Sequence, residues 1–139
     1  MSLINPYIIF KGNCKEAIEF YHGVFGGNLE IMPFRGSPME DQMPEEQLDD
    51  IMHATISNGD FTLMASDGMQ ADAASPGNMV NLSIHCTSEA EIDDYFAKLS
   101  EGGKVTMPLA DQFWGSKFGS LTDKFGIQWM LNFDKMPKP

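Results

Sequence analysis

Apolar positions along the chain change period several times, and each change marks an element. Residues 7–11 form an extended apolar run, Ala17, Phe20, Tyr21 and Val24 then recur at helical spacing, and residues 29–34 return to an extended run. Two further stretches, 52–57 and 60–66, flank Gly59 and predict a hairpin. The same order then recurs. Residues 80–86 are extended, Ile92, Tyr95, Phe96 and Leu99 form a second helical stripe, 105–109 is a strand, and 119–123 with 127–132 predicts a second hairpin. Each half therefore predicts β-α-β-β-β.

The halves are copies of one another. Residues 6–34 overlay residues 81–109 at a constant spacing of 75, which sets Ile9 on Ile84, Ala17 on Ile92, Val24 on Leu99, Gly27 on Gly102 and Met32-Pro33 on Met107-Pro108. Asn13 with Glu16 and Ser88 with Glu91 both have capping-box spacing, in which a short polar side chain and a glutamate three residues on close the first amides of a helix. Paired glycines, Gly26-Gly27 and Gly102-Gly103, stand where a left-handed C-terminal cap needs no Cβ. The hairpins repeat at a spacing of 67, with Gly59-Asp60-Phe61-Thr62-Leu63 over Gly126-Ile127-Gln128-Trp129-Met130. Eight additional residues in the first copy account for the difference, and they fall in the acidic, proline-containing stretch 37–50. The expected organisation is one domain, 1–139, made of unit one (5–66), a linker (67–78) rich in Gly, Ala, Ser and Pro, and unit two (79–134).

Composition narrows the classes of function. A chain of 139 residues is long enough to bury a continuous core without staples. Cys14 and Cys86 stand far apart and form no metal-ligand spacing, a usage that suits buried thiols in a reducing cytoplasm. No apolar run reaches the length of a membrane span, and no charged-then-apolar leader opens the sequence. The formal charge is −11, and Glu40, Asp41, Glu45, Glu46, Asp49 and Asp50 cluster, so the field is opposite to what a phosphate backbone or anionic membrane requires. The simplest reading of that cluster is a solvated loop.

Several segments resemble one family. Pro6-Tyr7, Gly12-Asn13-Cys14, Glu19-Phe20-Tyr21, His53-Ala54, Ser66-Asp67, Phe113-Trp114, Phe118-Gly119 and Thr122-Asp123-Lys124-Phe125-Gly126 with Trp129-Met130 together resemble the PhnB-like subfamily of the vicinal oxygen chelate superfamily. That superfamily includes glyoxalases, extradiol dioxygenases and bleomycin-resistance proteins, and the resemblance spans nearly the whole chain. It implies an α+β fold: tandem βαβββ units forming a cupped mixed half-barrel, helices on the convex side, in a homodimer. It also implies metal-ligand positions on the first and last strands of each unit, which land on Pro6, Leu63, Asn81 and Met130. Proline and leucine have no donor, asparagine is a weak neutral one and methionine suits soft ions, so the usual hard or borderline divalent ion has no ligand set and no cofactor is expected. A slip of one residue, to Tyr7, Met64, Leu82 or Leu131, gives no better set.

Strand alternation, with Asn81 and Met130 taken as concave, places Ser83, His85, Gln128 and Asn132 on an amide-rich wall of the cup. Pro6, Ile8, Phe10, Phe61, Leu63 and Ala65 form an apolar wall opposite. His53 shares its face with Thr55 and Ser57, as a hydrogen-bonded structural residue, a ligand-binding one, or one with acid/base or metal duty. His85 admits the same readings, the structural one favoured because its first-copy equivalent is Phe10, and His22 suits the end of a helix. Trp114 and Phe118 lie in an aromatic loop, 111–119, that either lids the cup and stacks on a planar ligand or plugs an interface.

The candidate ligand-binding set is thus Phe10, His53, Leu63, Asn81, Ser83, His85, Trp114, Phe118, Gln128 and Met130. Two functions compete: metal-free binding of a small, partly apolar organic molecule, and a metal-dependent lyase, isomerase or dioxygenase using unconventional ligands such as His53 or His85. Proteins similar to this one are also labelled as related to 3-demethylubiquinone 3-methyltransferase. No glycine-rich loop follows the first strand with an acidic ribose partner downstream, so nothing in the sequence supports that activity.

Overall fold

The computed structural model describes residues 4–59, 61–68, 77 and 79–135. Two compact units divide the chain, Met1–Ser75 and Pro76–Pro139. The first comprises β1 (Tyr7–Phe10), α1 (Cys14–Phe25), β2 (Asn28–Pro33), β3 (Ile51–Asn58) and β4 (Phe61–Asp67). The second comprises β5 (Leu82–His85), α2 (Glu89–Ser100), β6 (Lys104–Asp111), β7 (Ser116–Thr122) and β8 (Gln128–Asp134). Each unit is the expected β-α-β-β-β. Of the stretch expected as linker, Asp67 belongs to β4, and residues 69–76 and 78 lie outside the described set.

Both sheets are four-stranded and mixed, in the orders β1-β4-β3-β2 and β5-β8-β7-β6. The first strand of each unit pairs parallel to the last, and the other pairings are antiparallel. Pro33 and Pro108 fall on β2 and β6, the edge strands, where a missing ladder N–H is tolerated.

One helix covers one face of each sheet. In the first unit Ala17, Ile18, Tyr21 and Val24 of α1 are buried together with Ala54, Ile56, Leu63 and Ala65 of β3 and β4. Burial of a side chain such as Ile18 contributes about 1.5–3 kcal/mol. The second core joins Ile92, Phe96 and Leu99 to Leu121, Trp129 and Leu131.

Helix starts differ between the copies. Ser88 Oγ accepts from the Glu91 amide at 3.0 Å, and the Glu91 carboxylate takes the Thr87 amide at 3.1 Å, so the expected box closes one residue further back. Asn13 makes no cap; its Oδ1 takes the Lys11 amide, and the Cys14 amide is bound by Asp67 from β4. Helix α1 stops at Gly26, whose φ is 68°, with His22 Nε2 3.0 Å from the Gly27 carbonyl.

The acidic stretch contains two single 3₁₀ turns, Glu40–Gln42 and Glu45–Gln47. Backbone bonds from Phe34 to Asp50 and from Arg35 to Leu48 close it, and Arg35 meets Asp49 at 2.9 Å. That ion pair is solvent-exposed and adds little stability.

The face assignment of the first unit is corrected by the pairing register. Ile8 pairs Ala65 as Ile84 pairs Leu131, so equivalent residues stand 76 apart on the first strands and 66 apart on the last, each off by one from the sequence overlay. The cause is local: three residues, including Gly12 at φ 85°, separate Phe10 from α1, whereas two separate Cys86 from α2. A one-residue shift exchanges faces. Phe10, at 5% exposure, and Leu63, at 2%, therefore line the helix-covered core and not an open wall. Phe61 likewise packs its ring edge-on to Phe25 of α1 at 5.4 Å.

Candidate functional sites on the helix-free faces

With the helix sides accounted for, the opposite face of each sheet remains to carry chemistry. In the first unit that face includes Tyr7 and Ile9 on β1, Met64 on β4, His53 and Thr55 on β3, and Met32 on β2. His53 is its polar centre. Its Nε2 lies 2.9 Å from Thr55 Oγ1 and its Nδ1 3.4 Å from the Tyr7 hydroxyl. A neutral imidazole has one donor and one acceptor nitrogen, and both hydroxyls can rotate to match either tautomer. The Tyr7 and His53 rings tilt against each other at 5.8 Å. Tyr7, Ile9 and Met32 are exposed, so an apolar rim surrounds a polar group.

In the second unit the face assignment agrees with the sequence. Gly119 faces α2, since an added Cβ would meet Phe96 at 2.8 Å, and alternation puts Phe118 and Ser120 on the helix-free side. Pairing then brings Ser83, His85, Met130, Asn132 and Gln128 to that same side. Gln128 is already engaged: its amide donates to the carbonyls of Gly77 at 3.1 Å and Val80 at 3.3 Å, fixing the segment that leads into β5. Asn81, just ahead of β5, is exposed. Trp114 sits in the turn between β6 and β7, 6.3 Å edge-on from Phe118 and 5.0 Å from Phe113, which is 97% exposed.

His85 has a partner that sequence reasoning missed. Its Nε2 lies 3.3 Å from Asp134 Oδ2. Asp134 Oδ1 accepts from Ser116 Oγ at 2.6 Å and Asn132 Nδ2 at 3.1 Å. The available signal was parity, because Asn132 and Asp134 share a face of β8. Tyr7 was missed through the register shift, which had turned it toward the helix.

The two thiols have another character. Burial, reinforced by the Asp67 charge at Cys14 and by Glu91 at Cys86, pushes both up to about 12. They stay protonated and unreactive at neutral pH.

The metal that the resemblance implies does not fit the residues present. Pro6 and Leu63 offer no donor, Leu63 is buried in the core, and Asn81 and Met130 are poor ligands for a hard ion. Among the described residues no three His, Cys, Asp or Glu side chains converge as a metal site. Nor is any described helix long and apolar enough to cross a membrane.

Comparison with known proteins agrees with this architecture. The family described as 3-demethylubiquinone-9 3-methyltransferase matches residues 2–132. Protein PA1353 from Pseudomonas aeruginosa is 44% identical and superposes with a TM-score of 0.85, covering 96% of this chain and 98% of its own. The PhnB protein from Bacillus cereus is 30% identical with a TM-score of 0.76, covering 95% and 99%. Protein YjdN from Escherichia coli is 32% identical over 95% of both chains. A glyoxalase/bleomycin resistance protein from Albidiferax ferrireducens, 15% identical, shares the fold at a TM-score of 0.62 over 98% of this chain and 100% of its own. The chain belongs to the PhnB-like family described as 3-demethylubiquinone-9 3-methyltransferase, and it shares the fold of glyoxalase/bleomycin resistance proteins.

Proposed function

We propose that the chain binds a small, partly apolar organic molecule on the helix-free face of its first sheet, with His53 as the polar anchor. The observation that carries this reading is an imidazole met by a hydroxyl at each nitrogen and rimmed by Ile9, Met32 and Met64. A few placed polar groups on an apolar surface are what orient a small ligand. Methionines adapt their shape to such a guest. The methyl transfer in the family's description is not part of the proposal. Its cofactor is commonly held by a glycine-rich turn in a parallel βαβ framework, and each sheet here has a single parallel pair. A cytoplasmic homodimer completes the reading, on the family resemblance and the two free, buried cysteines.

Screening a panel of small organic metabolites by thermal shift, with hits mapped by amide chemical-shift perturbation, tests the site. Hits are expected to move resonances of β1, β3 and β4, and His53→Ala is expected to weaken them at least tenfold. Hits that bind His53→Ala as tightly as the wild type would sink the proposal. Light scattering checks the dimer, and a monomer mass would remove that part.

A further inference from the structure

We propose that His85 and Asp134 form a proton-accepting site on the helix-free face of the second sheet, suited to a small aromatic molecule with a weakly acidic hydroxyl. Asp134 is held in place. Ser116, only 3% exposed, and Asn132 both donate to its Oδ1, which leaves Oδ2 facing His85 Nε2 at 3.3 Å. A carboxylate beside one ring nitrogen fixes the proton there and leaves the lone pair on the other. The His85 side chain is 68% exposed, and no described hydrogen bond takes its Nδ1.

The neighbouring charges leave that arrangement intact. Lys117, on β7, is engaged by Asp93 at 2.6 Å and Glu89 at 3.4 Å on α2. Lys135, just past β8, is engaged by Asp111 of β6 at 3.1 Å and Glu89 at 3.6 Å.

An aromatic surface lies within reach. His85, Asn132 and Phe118 are directly paired across β5, β8 and β7, so His85 and Phe118 stand about 10 Å apart on one face by interstrand spacing. A single-ring guest resting beside Phe118, with Trp114 edge-on behind it, brings a ring hydroxyl to Nδ1. The net charge of −11 repels ligands that arrive as anions and favours a neutral one that ionises only when bound. In that step the guest's O–H bond breaks, its electron pair stays on oxygen, the proton joins Nδ1, and Asp134 stabilises the imidazolium. The proton returns when the guest leaves, so no co-reactant is needed.

Duplication does not supply a second such site, because Ile9 and Gly68 occupy the places of His85 and Asp134 in the first unit. The inference is therefore independent of the His53 reading.

Titration of 4-nitrophenol into the protein reads the site through the guest's own phenolate absorbance. The bound probe is expected to show a several-fold higher phenolate fraction than the free probe. His85→Gln should abolish that excess and Asp134→Asn should reduce it, while Phe118→Ala should weaken binding and leave the bound spectrum alone. Because Asp134→Asn also touches Ser116 packing, nitrogen-15 NMR of wild-type His85 supplies a second measure, with the Nε2–H tautomer expected. Equal spectra for wild type and His85→Gln, no binding at millimolar probe, or the Nδ1–H tautomer would overturn the proposal.

Discussion

The Cys14 amide at the start of α1 donates to Asp67 Oδ1 at 3.0 Å, and the other oxygen of that carboxylate takes the Ile51 amide at 2.9 Å. One carboxylate, 3% exposed, thereby ties the helix to the start of β3 and the end of β4. Asp67→Asn keeps the shape but turns an amide N–H toward one of those donors. The expected loss is about 1–3 kcal/mol, the cost of a buried group left unsatisfied. Urea unfolding measures it, and an unchanged midpoint would contradict the bracing role.

Two glycines are required by close approach. An added Cβ at Gly27 would stand 2.5 Å from the Ser57 carbonyl oxygen, and one at Gly103 would stand 2.3 Å from that of Thr122. These contacts are with backbone, which cannot swing aside. Gly27→Ala and Gly103→Ala should each destabilise by about 2 kcal/mol or more. Gly23→Ala, on the exposed side of α1 with nothing within 4 Å, should instead stabilise by about 0.5–1 kcal/mol. Melting temperatures of the three variants test the contrast.

Alkaline pH should weaken the fold through the thiols. An unfolded cysteine ionises near 9.0, whereas Cys14 and Cys86 hold their protons to about 12 because burial penalises the thiolate. Above pH 9 the unfolded chain has shed protons that the native one keeps, so stability is complete below that point and falls as pH rises to 12. Unfolding curves across this window should show a shallower decline in a Cys14→Ala, Cys86→Ala variant. Native protein should also resist a thiol reagent at neutral pH and react after denaturation.

The two tryptophans should report separately. Trp129 is buried with its indole N–H on Asp123 at 2.8 Å, while Trp114 is 53% exposed in its turn. Trp114→Phe should leave a blue-shifted emission that acrylamide quenches weakly, and should change stability by no more than about 0.5 kcal/mol. A large stability loss would mean that Trp114 plugs a core.

The elements were legible because each rests on local periodicity: the stripe from Ala17 to Val24 and the one from Ile92 to Leu99 both became helices, with Ala17, Tyr21 and Val24 and with Ile92, Phe96 and Leu99 buried, while Phe20 and Tyr95 are half-buried. Ser88 capped its helix, taking the Glu91 amide as the spacing implies. Asn13 did not, since Asp67, distant in sequence, reaches the same end. The first-unit faces were illegible for a similar reason, because the strand register is offset by one residue relative to the helix and periodicity is blind to a shift of one. His85 was visible as a strand histidine, but Asp134 became its neighbour only through the parallel pairing of β5 with β8.

The one-residue offset of register ahead of α1 has an implication for how duplicated halves of a gene diverge. Moving a strand's anchor by one position presents the complementary set of its side chains to the outside, with no change in the strand's own codons. Tyr7 and Ile9 look outward in one half, while Leu82 and Ile84, their counterparts in the plain sequence overlay, look inward in the other. A one-residue change of register therefore turns Tyr7 toward His53 in one half, where the other half carries His85 beside Asp134.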